Sequence, residues 1–382
     1  MKPTSLLLKS TFAIILCALI SIAGYTQEVT REIQRTIATK PDMTLYLTNK
    51  QGDIHIDTWN KPEIRFTGTI LLKGSNTDLL EKKLESMVIK ISSDEKEIRI
   101  ENQASSGNQV IWGTQPRNSP YFFNIQTFSG VSSEKTDFHI TVPRNMKLHI
   151  DHQYGDVFVG NTDANVDLTL RHGTLKGEVM KGNNKLSLSY TDGTLKELGK
   201  ATIEAQKCQL HIIGAGRLDI HSAYSEFEID QADSLISSHK HNEFEIKNVG
   251  YLKMDENYSD VNVFHLFNEG DFRFNYGDLK LDWVAPDFKY LNLTGELSDF
   301  DVKLDTTATF SLEIDSDLTE FNLPDDLVII SKKNMAPFPS LRLQGVKGLE
   351  SLKTIRYPEN VQIKNKPKSI VIITKSGGVI LK

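Results

Sequence analysis

The amino-acid sequence predicts an all-β chain, a β-solenoid of about ten rungs carrying a small α+β cap near its N-terminus. Three observations predict it. A pattern first seen as LHIDHQYGDVFV at 148–159 recurs along the chain at intervals of 15 to 21 residues, about 18 on average. Within each copy apolar and polar residues alternate, the period of a strand with one buried face. A repeat of this length is too short for paired-helix repeats of roughly 33 to 47 residues but suits a rung built of short strands. The rival fold is an antiparallel meander or sandwich with each strand pair a hairpin. Near-constant spacing over a long array favours the solenoid, whose rungs would stack at ~4.8 Å into a rod about 50 Å long.

Residues 1–26 read as a secretory leader. Lys2 and Lys9 give the positive start, 11–22 (TFAIILCALISI) the apolar stretch, and Ser21, Ala23 and Gly24 the small residues before a cut after Ala23 or just before Gln27. Cys17 follows Ile15 and Leu16 rather than a small residue, so it belongs to the apolar stretch and not to a lipidation site. Cys208 is then the one cysteine left after cleavage, and stability must come from packing rather than an internal disulfide. No later apolar run has the length of a transmembrane helix.

Residues 27–146 hold one rung and a capping insertion. LYLTNKQGDIHI at 45–56 matches the repeat position for position. Beyond it the pattern breaks: Thr77–Ser86 has helical spacing of Leu79, Leu80 and Leu84. Alternating strands follow at 87–91 and 97–101, then a polar loop at 104–108, then strands near 122–128 and 137–142 that Pro143 ends. Such a segment would cover an open sheet end.

Residues 147–323 are the repetitive body. With Asp156 as anchor, equivalent corners are expected at Thr174, Thr194, Gln209, Glu226, Glu243, Asp260, Asp278, Asp299 and Glu320. Apolar pairs such as Leu218/Ile220 and Leu252/Met254 precede the anchors, and pairs such as Phe227/Ile229 and Val261/Val263 follow them. Two copies deviate: Phe272/Phe274 arrives two residues late, and Ser237 stands where an apolar residue belongs. Residues 324–382 are less regular, with Pro337, Pro339, Pro358 and Pro367, and read as a cap for the other end. They close on a further copy at 370–381 (IVIITKSGGVIL), which with 45–56 frames the series from outside.

The corners supply the candidate site. In a solenoid, Asp53, Asp156, Glu226 and Glu243 would line up with Asp260, Asp278, Asp299 and Glu320. Like charges ~4.8 Å apart repel by roughly 1 kcal/mol even in water. The line must therefore be splayed, hydrogen-bonded or neutralised, and hydrogen bonding within the corner is the main expectation. Calcium is the lesser one, because a calcium site gathers several oxygens around one ion and no Asp-rich nonapeptide is present. Two residues before the anchors stand Tyr154, His172, Tyr224, His241, Tyr258 and Tyr276. A line of exposed rings could hold a sugar or peptide; an internal stack supporting the corner is the favoured reading.

Other functions find little support. The 50 acidic residues outnumber the 44 basic ones, which argues against nucleic acid as partner. His221, His239 and His241 lie near one another in the repeat but match no zinc spacing. Cys208 takes the place of the corner's small residue. The sequence holds no G-x-S-x-G, H-E-x-x-H, P-loop or dinucleotide turn, and a repeating acid is a poor sign of a unique catalytic pair.

The leader, the early strand Asn49-Lys50-Gln51-Gly52-Asp53-Ile54, the Tyr-Gly-Asp corners and the closing Lys375-Ser376-Gly377-Gly378-Val379 resemble a bacterial family. It is that of putative adhesins with a head GIN-like β-solenoid domain, common in exported proteins of Bacteroidetes. The resemblance implies an exported β-solenoid and brings no catalytic residues; acidic Tyr corners here partly replace the family's Gly/Asn-rich ones. The reading is thus an exported, non-catalytic binding scaffold without cofactor, in the periplasm, at the outer-membrane surface or outside the cell. Its partner would be a glycan or protein of the envelope or exterior. The alternatives are a structural or stress-regulatory envelope component and a carbohydrate-active solenoid enzyme.

Overall fold

A computed structural model describes residues 26–103, 130–335, 340–347 and 368–382. The leader up to residue 25, the loop at 104–108, the strand expected at 122–128 and the four late prolines lie outside the described residues. The described chain is nearly all β, with one helix. Its first strands are β1 (Gln27–Ala38), β2 (Thr44–Gln51), β3 (Ile54–Trp59) and β4 (Glu63–Gly74), followed by α1 (Thr77–Ser86). Then come β5 (Val88–Ser93), β6 (Glu97–Gln103), β7 (Val131–Pro143), β8 (Lys147–Tyr154), β9 (Val157–Val159) and β10 (Val166–Gln206). The middle holds β11 (Gln209–Ala223), β12 (Glu226–Lys240), β13 (Glu243–Asn257), β14 (Asp260–Asn275), β15 (Asp278–Val284) and β16 (Tyr290–Glu296). The last are β17 (Asp299–Leu304), β18 (Phe310–Asn322), β19 (Val328–Met335), β20 (Ser340–Lys347) and β21 (Lys368–Leu381).

Successive segments pair in parallel, in the middle of the chain each residue opposite the one 17 residues later and elsewhere 18 to 21 later: Phe227 faces Leu210 and Phe244, and Phe244 faces Val261. The pairing follows from the repeat, because only this register keeps every apolar column continuous and inward. Side chains alternate between buried and outward-facing along each half of a segment, as in β11 and β13, and the alternation breaks where the strand bends between the halves. The interior is therefore made of columns of like residues. Phe227 and Phe244 stack at 4.8 Å with planes 10° apart, and Leu218, Leu235 and Leu252 are fully buried one above another.

A register shift in β14 between the partners of Val249 and Tyr251 adds one residue, so that Leu252 and Met254 face Gly270 and Phe272. The Phe272/Phe274 pair looks late because Gly270 takes the first apolar position and Phe274 faces the buried Glu256. Toward the C-terminal end five parallel strands close a ring, β14–β15–β17–β21–β16. The ring closes because β14 and β21 each turn a corner: β15 and β16 pair with the first and second halves of β14, and β17 and β16 with the second and first halves of β21.

The structure corrects two expectations about the order of copies. The corner aligned with Gln209 is Asp192, not Thr194, which instead faces His211. Gly193 lies after the Asp192 corner, in the apolar column opposite Leu210. A Cβ there would come 2.8 Å from Leu210 Cδ2, so Leu210 fills the space. The copy at 370–381 is also not an outer frame. β21 sits between the β16–β17 coil and β18, pairing in parallel with both, so Glu320 faces Gly378 and does not stack on Asp299.

At each end the pairing turns antiparallel. β6 and β7 lie parallel on β2 and β3, β5 runs antiparallel to β6, and β4 and β1 follow antiparallel beyond β7. At the other end β20 lies antiparallel on β18, and β19 on β20. α1 falls where its leucine spacing put it. It is capped by the Asn76 side chain, which accepts from Leu79 N–H, rather than by Thr77, and it buries Leu80.

Candidate functional site

Each corner is a three-residue device with a left-handed residue, a buried small residue and an exposed anchor. His172, Tyr190, Lys207, Tyr224, His241, Tyr258, Tyr276 and Leu297 all have φ between 52° and 58°. Non-glycine residues pay about 1–2 kcal/mol for this conformation, so the surroundings must impose it. The buried middle residue does much of that. Cys208 N–H donates to Ser225 Oγ at 3.1 Å, Ser225 N–H to Asn242 Oδ1 at 3.3 Å, and Asn242 N–H to Ser259 Oγ at 3.1 Å. In the coil of Tyr154 the positive φ moves to Gly155, at 137°. A Cβ there would overlap Gly52 O at 2.0 Å.

The left-handed residue throws its side chain outward, and stacking at the rung spacing does the rest. Tyr154, His172 and Tyr190 form one run, with centroids 5.1 and 4.9 Å apart and planes within 15°. Tyr224, His241, Tyr258 and Tyr276 form a second, with separations of 4.8, 5.1 and 4.9 Å. Lys207 takes the intervening corner position and packs on the first run, its Nζ 5.0 Å from the Tyr190 centroid and donating to Tyr190 Oη at 3.2 Å. The favoured internal stack is thereby corrected: the rings do stack, but on the surface, with Tyr154, Tyr224 and Tyr258 53–54% exposed and Tyr276 49%. Because faces are covered by neighbours, the line offers solvent mainly ring edges with their hydroxyls and imidazole nitrogens.

Tyr190 is a member that sequence reasoning missed, through the same two-residue slip that misplaced the anchor. Tyr190-Thr191-Asp192 reads as a Tyr-x-Asp corner, and that was the available signal.

The anchors form a second line two residues along. Asp137 Oδ1 accepts from Asp53 N–H at 2.7 Å, Asp53 Oδ1 from Asp156 N–H at 3.0 Å, and Asp156 Oδ1 from Thr174 N–H at 3.0 Å. Asp299 Oδ1 does the same for Gly378 N–H at 2.7 Å. The carboxylates thus bind the next coil's backbone. Lys135 Nζ lies 2.7 Å from Asp53 and 3.3 Å from Asp137. Burial pushes Asp53 up, but Lys135 and the Asp156 N–H outweigh it and hold its carboxyl below the usual range. Asp278 moves the other way, raised by burial and then by the charges of Asp299 and Asp260. Glu226, Glu243 and Asp260 are exposed on the same line, Glu226 accepting from Gln209 Nε2 at 3.0 Å. Glu320 is exposed beyond Gly378.

Inside the coils, Ser237 reveals why it replaces an apolar residue. Its Oγ donates to Glu256 Oε1 at 2.6 Å, while Asn242 Nδ2 and Ser259 Oγ donate to Glu256 Oε2 at 3.3 and 3.1 Å. Glu256 has no exposed surface, and burial raises its pKa against the lowering effect of these donors. Cys208 is buried, and burial pushes its thiol up, the state of an inert packing residue. His241 stands in the ring line, whereas His221 lies elsewhere on the coil beside Ser238 and Asp219. The side chain of His239 lies outside the described ones.

Among the described residues no helix is long and apolar enough to cross a membrane. No family model and no curated protein matches the sequence. Among solved structures, a putative cell adhesion protein from Clostridium sporogenes is 9% identical, with 92% of this chain and 99% of that chain covered and a TM-score of 0.16. A putative adhesin from Parabacteroides merdae is 11% identical, with 74% and 93% covered and a TM-score of 0.30. At these values the two likenesses are to adhesin-type structures and do not place the chain in a family.

Proposed function

We propose that the protein is an exported, non-catalytic binding scaffold of the adhesin type, a β-solenoid of about ten rungs that presents its corner line to a glycan or protein of the envelope or exterior. The observation that carries this reading is the half-exposed line of rings from Tyr154 to Tyr276, flanked by exposed carboxylates. Phenol hydroxyls donate and accept, and carboxylates accept, which suits the hydroxyls of a polysaccharide laid along the coils. Covered ring faces argue against stacking on sugar faces except at the ends of each run. Carboxylates engaged by backbone N–H groups of the next coil favour a scaffold over an acid–base pair.

The face-to-face stacking favours a second reading, a purely structural envelope component in which the rings only lock the corners. A glycan array and an envelope-fraction pull-down separate the two. Saturable binding lost in Tyr258→Ala with Asp260→Asn supports the scaffold. No binding, or binding that this double variant keeps, refutes the corner line as the contact surface.

A further inference from the structure

Away from the corner line, the register of the N-terminal coils assembles a different chemistry. β3 and β7 run parallel with His55 directly opposite His139, and Asp57 lies two residues further along β3 on the same outward face. The carboxylate Oδ2 of Asp57 is 3.3 Å from His55 Nε2 and 3.4 Å from His139 Nε2. The His55 ring is held in a sandwich, 4.7 Å from His139 and 4.3 Å from Phe158, with planes 7° and 13° away. We propose that His55, Asp57 and His139 form a binding site for a divalent first-row transition metal, zinc above all.

Three features support zinc. Two imidazoles with one carboxylate are a donor set for zinc and its neighbours, not for calcium or magnesium, which take oxygen. A tetrahedral centre with bonds near 2.1 Å keeps its ligand atoms about 3.4 Å apart. Two of the three separations already have that value, and all three donor atoms lie within 4.8 Å of one another. Because the two rings are stacked nearly parallel, both must turn out of the stack to bring their Nε2 lone pairs onto one ion. The side chains are 41%, 46% and 60% exposed for His55, Asp57 and His139, which leaves entry open and further coordination positions to water.

The other cluster of three such donors among the described residues, His211 with the two carboxylates of Glu228 and Asp230, already contains a cation. Lys247 Nζ sits 2.8 Å from Glu228 and 2.7 Å from Asp230. Among the described residues no lysine or arginine pairs with Asp57. The two clusters thus form a matched test and control. A metal at the first would also clip β7, which follows the insertion, onto β3, so binding should stabilise the fold.

The test is calorimetric titration of the whole protein with zinc chloride, alongside calcium chloride. The expected result is one saturable zinc site, no calcium site at this locus, and a rise in melting temperature with zinc. His139→Gln and Asp57→Asn should each weaken zinc binding at least about tenfold, the loss seen for removing even an outer partner of a ligand. His211→Gln should leave it unchanged. All three substitutions are at partly exposed side chains, and circular dichroism of the metal-free variants checks their fold. Zinc-dependent shifts of the His55 and His139 ring resonances in the unmodified protein provide a readout independent of any variant. Absence of saturable zinc binding, or binding that both His139→Gln and Asp57→Asn retain, overturns the proposal.

Discussion

Replacing Tyr258 separates the two opposing effects at a corner. The residue stacks on His241 at 5.1 Å and on Tyr276 at 4.9 Å, while its backbone is held at φ 55°. Each aromatic pair contributes about 0.5–1.5 kcal/mol beyond buried area, so Tyr258→Ala should lose about 1–3 kcal/mol. Tyr258→Gly loses the same stacks but relieves the left-handed strain, about 1–2 kcal/mol. Against that stands about 0.4–1 kcal/mol from the greater freedom of glycine in the unfolded chain. Tyr258→Gly should therefore be more stable than Tyr258→Ala by about 0.5–1 kcal/mol, although it removes more atoms. Urea unfolding followed by circular dichroism gives the comparison. A double-mutant cycle with Tyr276→Ala should return a coupling of about 0.5–1.5 kcal/mol. If the alanine variant equals or exceeds the glycine variant, or the coupling is near zero, the account of the corner is wrong.

Glu256 and Phe244 probe the interior. Burial raises the Glu256 pKa, so its stabilising contribution is full below the unfolded value and is lost as pH rises through the folded one. Relative to the unmodified protein, Glu256→Gln should gain thermal stability as pH rises above about 4, the unfolded value of a glutamate; a difference independent of pH would refute this. Phe244→Ala removes a fully buried ring stacked on Phe227 and should cost about 3–5 kcal/mol in urea unfolding. A loss below about 1 kcal/mol would show that the column collapses around the gap.

How much was legible in the sequence can be judged from particular residues. The columns around Phe227, Phe244 and Val261 were legible because alternation and a constant interval determine register wherever one face is buried. The interval failed at Thr194, where Gly193 and Asn184 occupy two apolar positions. Asn184 is tolerated there because its amide donates to the Met180 and Lys200 carbonyls, a compensation visible only in three dimensions. The corner acids were legible as turn residues, but their use as acceptors for the following coil depends on stacking order. The pairing of His55 with His139 was not legible, since 27–146 is not a linear run of repeats: β7 returns beneath β3 after the helix and the antiparallel strands.

The placement of β21 has a consequence for the order of assembly. Most coils close onto their predecessor over 17 or 18 residues, but the bond from Gly378 to Asp299 spans 79. Loop closure on that scale costs about 1.4 kcal/mol more than over 17 residues. β18 precedes β21 in the chain, yet β21 lies between it and the strands β16 and β17. This end of the molecule is therefore completed out of chain order, and β18 joins the parallel stack only through β21.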